Sequence, residues 1–247
     1  MAFKHLVRFR QGNDVFYGDL LETGGDEFSV TKLLGDPFDA LQETDEILKT
    51  KEVRIVITLR NIQLAYKLQL LCPLEKTPLV RCIGLNYKTH AEEAKLPLPK
   101  NPSVFLKPAD ALAGPFDVVP THPDTREMLD YEGELVIVMG KDAKNVEEHE
   151  ALDYVLGFTA GNDVSARNYQ LPDVSGGQFT YAKSFDRFAP IGHTITGTAQ
   201  FPDPLAARIT TKVNGVTEQD SNTNDLIFSV RCIISHLSRG TTLRRER

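Results

Sequence analysis

At the amino terminus Phe3, His5, Val7 and Phe9 occupy every second position, the period of a strand that buries one face. Lys4–Arg10 and Val15–Leu20 predict two strands, joined through Gln11-Gly-Asn-Asp14 as a hairpin. Phe38–Leu48 predicts a short helix after Asp36-Pro37, with the proline in its first turn. Arg54–Leu59 predicts a strand by its β-branched content. The segment Cys72-Pro-Leu-Glu-Lys-Thr-Pro78 carries two prolines and predicts a linker. The boundary is placed there, with a small N-terminal domain over residues 1–72 and a larger domain over 79–247.

Beyond the linker the pattern shortens. Leu79–Gly84, Ser103–Lys107, Leu135–Met139 and Tyr154–Ala160 predict strands, the third without a polar member and so buried on both faces. His90–Lys95 and Glu147–Leu152 predict helical turns, and Leu96–Pro102, with three prolines, a loop. Val213-Asn-Gly-Val216 predicts a hairpin with a type I′ turn, which places Ile209, Thr211 and Val213 on one face. Leu226, Val230, Ile233 and Leu237 recur at helical spacing and predict an amphipathic helix over Asp225–Ser238, with Asn224 as N-cap and Gly240 just past its end. Many short strands and few helices make an α+β, β-rich chain without a regular βαβ series.

Composition narrows the function. The 247 residues include 28 Lys+Arg against 34 Asp+Glu, a net charge of -6. That balance argues against a general nucleic-acid or anionic-membrane binder. Cys72, Cys82 and Cys232 are far apart and form no CxxC, so they read as free thiols rather than a disulfide or zinc framework. No apolar run approaches the ~20 residues that span a bilayer. These features lead us to expect a cytoplasmic protein, with a mitochondrial location as the alternative. P-loop, dinucleotide-binding, zincin and nucleophile-elbow motifs are absent from the sequence.

The candidate chemistry lies in Asp130-Tyr-Glu-Gly-Glu-Leu-Val-Ile-Val-Met139. Asp130, Glu132 and Glu134 alternate, so a strand would turn all three to one face. Acids so placed repel one another unless a cation sits among them. They read either as ligands of a hard divalent ion or as ordinary surface acids. Asp163, in Gly161-Asn-Asp-Val-Ser-Ala-Arg167, reads either as a further ligand or as an N-cap. Together Glu132, Glu134 and Asp163 would form a three-carboxylate site for Mg2+ or Mn2+. His90 and Glu93, three apart, are neighbours on a helix and read as a general-base pair or as a surface pair. Lys183 and Lys107 read as groups that neutralise an enolate or carboxylate, or as exposed lysines. Arg167 and Gln170 read as holders of a substrate carboxylate.

These motifs resemble the fumarylacetoacetate hydrolase (FAH) family. The resemblance rests on an ordered set: Ile83-Gly-Leu-Asn-Tyr-Lys-Thr-His90-Ala-Glu-Glu93, Phe105-Leu-Lys-Pro108, Asp130-Tyr-Glu-Gly-Glu134, Asn162-Asp-Val-Ser-Ala-Arg-Asn-Tyr-Gln170, Lys183-Ser-Phe-Asp186 and Val213-Asn-Gly215. It covers about residues 79 to 243. It implies a mixed β-sandwich roll with short helices, preceded by a small N-terminal β-containing domain, and assembled as a homodimer. It implies Mg2+ or Mn2+ held by Glu132, Glu134 and Asp163, with Lys183 at the metal and His90 and Glu93 as a dyad on a mobile lid. The implied substrates are small 2-oxo or β-diketo acids. Hydrolysis of an acylpyruvate-type C–C bond or oxaloacetate decarboxylation, through an enolate, is the leading expectation. An oxaloacetate keto–enol tautomerase and a catalytically silent paralogue are the alternatives. The family pattern continues past the final helix, whereas Gly240-Thr-Thr-Leu-Arg244 diverges into Arg245-Glu-Arg247. That departure leads us to expect a shortened roll with open strand edges.

Overall fold

The amino-terminal alternation becomes the middle of a sheet. The computed structural model describes residues 2–24, 27–50, 69–202 and 204–245. In chain order the strands are β1 His5–Gln11, β2 Asp14–Gly24, β3 Glu27–Asp36, β4 Ala40–Thr50, β5 Gln69–Leu70 and β6 Leu79–Gly84. Helix α1, Lys88–Glu93, is followed by β7 Ser103–Pro108, β8 Leu112–Ala113, β9 Leu129–Asp130, β10 Gly133–Met139, β11 Val155–Asn162 and β12 Ser165–Ala166. Helix α2, Pro172–Ser175, precedes β13 Ala189–Pro190, β14 Thr194–Gly197, β15 Arg208–Val213, β16 Val216–Asn222 and helix α3, Val230–Ser238. Strands thus dominate, as the patterning requires. The predicted strand at Arg54–Leu59 lies outside the described residues.

One sheet runs β10-β11-β14-β1-β2-β3-β4, with β5 also on β1, and every pairing in it is antiparallel. β13 and β8 form a short parallel pair, so the sheets are mixed. Strands from both sides of the 72–78 linker therefore share a single ladder. The packing repeats this. Leu6 and Leu33 lie in one buried cluster with Leu74, Val138, Leu156, Ile191 and Ile195. Val7 and Phe9, on the opposite face of β1, pack with Val30 and Leu70. β1 is thus covered on both faces, and each fully buried aliphatic or aromatic side chain contributes roughly 1.5–3 kcal/mol.

Two expectations are corrected. Phe38–Leu48 is no helix: most of it lies in β4, paired with β3 through Leu33↔Glu43 and Leu34↔Gln42. Asp36-Pro37 is a hairpin turn, in which Asp36 Oδ1 accepts from Phe38 N at 2.7 Å and Asp36 O from Asp39 N at 3.2 Å. An Asx turn competes with a helix start for the same residue types. The last helix begins at Val230 rather than Asp225, with Ser229 as cap, its Oγ accepting from Cys232 N at 3.2 Å. Residues Thr223–Asp225 form a separate 3-10 turn. Gly240 has φ +70°, as a residue just past a helix end requires. In the Asn214–Gly215 turn both residues have positive φ, +51° and +84°, the type I′ signature.

α3 covers the other side of β10 and β11. Val230 and Ile234 are buried with Val155 and Phe158, against Leu135, Ile137 and Met139. Val136 and Val138 point the opposite way, into the cluster shared with β1. β10 ends the large sheet, and β6 ends the two-stranded β6–β7 sheet. A cavity of about 430 Å3 is lined by five consecutive residues of β6, Leu79 to Ile83, and six of β10, Glu134 to Met139. Consecutive strand residues point to opposite faces, so the cavity meets both strands at their edges.

Candidate active site

At one end of this cavity the β10–β11 ladder assembles the acidic cluster. Gly133 pairs with Asn162 and Glu134 with Gly161. Past the strand ends, Asp163 N donates to Glu132 O at 2.9 Å and Glu132 N to Asn162 Oδ1 at 3.0 Å. The ladder brings Glu132 and Glu134 beside Asp163, about thirty residues away in sequence. Gly133, between the two glutamates, is required by a close approach: a Cβ there would collide with Thr211 Oγ1 of β15. Its N–H donates to Gln219 Oε1 at 2.8 Å, which docks the β15–β16 hairpin on this corner.

The charges are interlocked. Lys183 Nζ donates to Asp163 Oδ2 at 2.5 Å and to Glu132 Oε1 at 2.7 Å. Glu132 Oε1 also accepts from Ser165 Oγ at 2.9 Å and lies 2.9 Å from Arg167 Nη2. Arg167 Nε donates to Asp130 Oδ2 at 2.8 Å, and its Nη1 to Gln170 Oε1 at 2.9 Å. Lys107 Nζ is 2.7 Å from Asp163 Oδ1 but donates to the carbonyl oxygens of Val164 and Phe188 at 3.0 and 2.6 Å. Asp163 Oδ1 is buried against the Lys107 ammonium. Glu134 accepts from Tyr87 O–H at 3.2 Å. Burial, aided by the charges of Glu132 and Asp163, pushes the Glu134 carboxyl up to about 7. Burial and the nearby Glu134 charge raise the Tyr87 phenol. Burial pushes the Cys82 thiol up to about 12 and lowers the Lys107 ammonium, so Cys82 is a wall and not a nucleophile.

Glu132, Asp163, Lys183 and Arg167, all picked out in the sequence, therefore meet in one network, and Glu134 stands beside it. Gln170 joins through Arg167, whose guanidinium is engaged by protein groups. Asp130 joins the same network through Arg167, whose Nη2 lies 2.7 Å from Asp130 Oδ2 and 2.9 Å from Glu132 Oε1, although the strand is interrupted between β9 and β10. Asp163 is followed by β12 rather than a helix, so it does not serve as an N-cap. His90 and Glu93 lie on α1, exposed and outside the cavity lining. Lys107 is only 1% exposed, which decides between its two readings. The signal was its parity with buried Phe105 in β7. Tyr87 and Ser165 were missed, since a lone tyrosine or serine carries no pattern.

Among the described residues no group of three or more His, Cys, Asp or Glu side chains stands in positions ready to hold a metal ion. Lys183 bridges Glu132 and Asp163, and Glu134 turns to Tyr87. The donor chemistry nevertheless fits a hard divalent cation. All three groups offer oxygen, and half-buried Glu134 has a neutral partner whose hydroxyl a cation could displace.

Comparison with known proteins agrees with this architecture. Residues 79–246 match the family described as "Fumarylacetoacetate (FAA) hydrolase C-terminal", and residues 4–56 match "Rv2993c-like, N-terminal". The chain belongs to the fumarylacetoacetate hydrolase family. It is 41% identical over 214 residues to the fumarylacetoacetate hydrolase domain-containing protein 2 homolog of Dictyostelium discoideum, covering 83% of this chain and 69% of that one. It is 37% identical over 172 residues to the mitochondrial oxaloacetate tautomerase FAHD2A of Homo sapiens, covering 70% of this chain and 54% of that one. The chain thus spans about half the length of that relative. The crystal structure of 5-carboxymethyl-2-hydroxymuconate delta-isomerase from Mycobacterium smegmatis superposes with a TM-score of 0.79 at 29% identity, covering 98% of this chain and 85% of that one. No helix among the described residues is long and apolar enough to cross a membrane.

Proposed function

We propose that this chain is a divalent-metal-dependent enzyme that converts a small 2-oxo or β-diketo acid through an enolate, and that its reaction is keto–enol isomerisation of an acid such as oxaloacetate. The observation that carries this reading is the pair Glu132 and Asp163, interlocked with two buried ammonium groups and flanked by Glu134, at the end of a largely apolar cavity. Anionic substrates that gain charge at an oxygen need fixed positive partners in a dry site. Lys183 and Lys107 provide them, held in place by carboxylates and carbonyl oxygens. Glu132, Glu134 and Asp163 would hold Mg2+ or Mn2+, which when bound supplies Lewis acidity toward the developing enolate. The names of the tautomerase and isomerase relatives support a proton transfer over a bond cleavage.

C–C cleavage is the second reading, favoured by His90 and Glu93. Three apart on α1, they suit the orientation of an imidazole that activates water. The test offers oxaloacetate and acetylpyruvate separately to the purified chain, with Mg2+ and then with EDTA. Metal-dependent loss of enol absorbance without CO2 or a second acid supports the isomerase. Release of either product selects cleavage. No turnover from a chain folded by circular dichroism would overturn both in favour of a silent paralogue.

A further inference from the structure

α1 is a weak helix by its own sequence. It has six residues, its N-cap Tyr87 supplies no side-chain hydrogen bond, and its first turn carries no acidic residue. Helices this short do not persist without outside support. Support arrives from a distant part of the chain. Asp225 Oδ2 accepts from Thr89 N at 3.0 Å and from Thr89 Oγ1 at 2.7 Å. A carboxylate here satisfies a first-turn amide that has no intrahelical partner, and it complements the positive end of the helix.

The contact continues into a zipper. The buried side chain of Asn86 pairs with the Phe228 backbone as a peptide would, accepting from Phe228 N at 2.9 Å and donating to Phe228 O at 3.2 Å. Ile227 N donates to Asn86 O at 2.8 Å, and Tyr87 bridges Leu226. Residues 86–89 are thus bound to residues 225–228, immediately before the Ser229 cap of α3. Two non-glycine residues in the left-handed region, Leu85 at φ +49° and Lys95 at φ +53°, bracket α1. Bulky residues hold such angles only where their surroundings over-determine them. The zipper is that surrounding at the Leu85 end. It also reaches the acidic cluster, because Tyr87 donates to Glu134.

We propose that Asp225 is a positioning residue: it caps α1 from across the fold and, with the Asn86 zipper, sets the stance of His90 and Glu93 relative to the acidic cluster. This rests on the cleavage reading above, in which His90 and Glu93 on α1 serve the reaction. The test compares wild type, Asp225→Ala, Asp225→Asn and Thr89→Val in the full chain. Hydrogen exchange of residues 86–95 is measured beside metal-dependent turnover of oxaloacetate and acetylpyruvate and thermal unfolding. Asp225→Ala should speed exchange at 86–95 about tenfold and lower kcat by about tenfold or more. KM should stay within about twofold. Asp225→Asn, which keeps an acceptor, should restore most of both, and Thr89→Val should fall between. Unchanged exchange in a folded Asp225→Ala chain would overturn the cap. Faster exchange with unchanged kcat, or a KM rise with unchanged kcat, would overturn the positioning role. Thermal unfolding separates either result from global loss of structure. A wild-type chain without turnover overturns the functional reading and with it the positioning role, while exchange still decides the cap.

Discussion

Lys183 Nζ lies 2.5 Å from Asp163 Oδ2, and the lysine is only 3% exposed. An ammonium group so placed is enclosed by protein and shared with Glu132 rather than by water. Buried pairs of this kind seldom add net stability compared with an apolar replacement of both partners. Their effect here is geometric: they fix two carboxylates and one cation at the end of the cavity.

Removing the lysine alone leaves two half-buried carboxylates without their shared partner. Lys183→Met is expected to cost about 3–5 kcal/mol in urea unfolding. Millimolar Mg2+ should raise the thermal midpoint more in this variant than in wild type, since a bound cation stabilises the folded state by mass action. An equal rise in both would count against the carboxylates as the metal's ligands.

Glu132 anchors more than a metal would need, because Lys183, Ser165 and Arg167 all converge on its Oε1. Glu132→Ala is therefore expected to lose stability as well as activity. Glu132→Gln keeps an acceptor and removes the charge. It should remain folded by circular dichroism, lose calorimetric Mg2+ binding, and lower metal-dependent turnover by roughly a hundredfold.

Glu134 titrates in an unusual window. Its carboxyl is raised from 4.5 to about 7 in the folded chain, so between those values the folded state binds more protons than the unfolded state. Stability contributed by this group is lost as pH rises from about 4.5 to 7, and the full cost, roughly 3 kcal/mol, is present above pH 7. In EDTA, Glu134→Gln should be more stable than wild type at pH 8, and the two should converge near pH 4.5. Parallel stability–pH curves would contradict the raised carboxyl.

Gly133→Ala should lower the thermal midpoint by several degrees, since the added methyl meets Thr211 Oγ1. Thr211→Ala in the same chain should recover part of the loss. A strictly additive double variant, read by urea unfolding, would show that the hairpin contact is not the cause.

The parts of the fold written into the sequence are those set by local chemistry. Asn214–Gly215 specifies a type I′ turn, and Val230, Ile233 and Leu237 specify the stripe of α3. What escaped was decided elsewhere in the chain. Residues 40–48 contain good helix formers, yet their hydrogen bonds are made with β3, and Asp36 diverts the start into a turn. Asn224 had the right chemistry for a cap, but residues 226–228 are engaged by Asn86 and Tyr87, which delays the helix to Ser229. Within the site, Glu132, Glu134, Asp163 and Lys183 were legible as acidic alternation and motif order. Lys107 was ambiguous until its burial was known, and Tyr87 acts through a contact 47 residues away that no spacing announces.

Two family models divide this chain near residues 56–79, while β1 pairs with β2 on one side and with β14 on the other. Inheritance and mechanics thus draw different borders. Separated at the linker, β14 would lose its neighbour on the β1 side, and the cluster around Leu6 and Ile195 would open to water. The two segments should melt in one cooperative transition, and neither should be transplantable without the other.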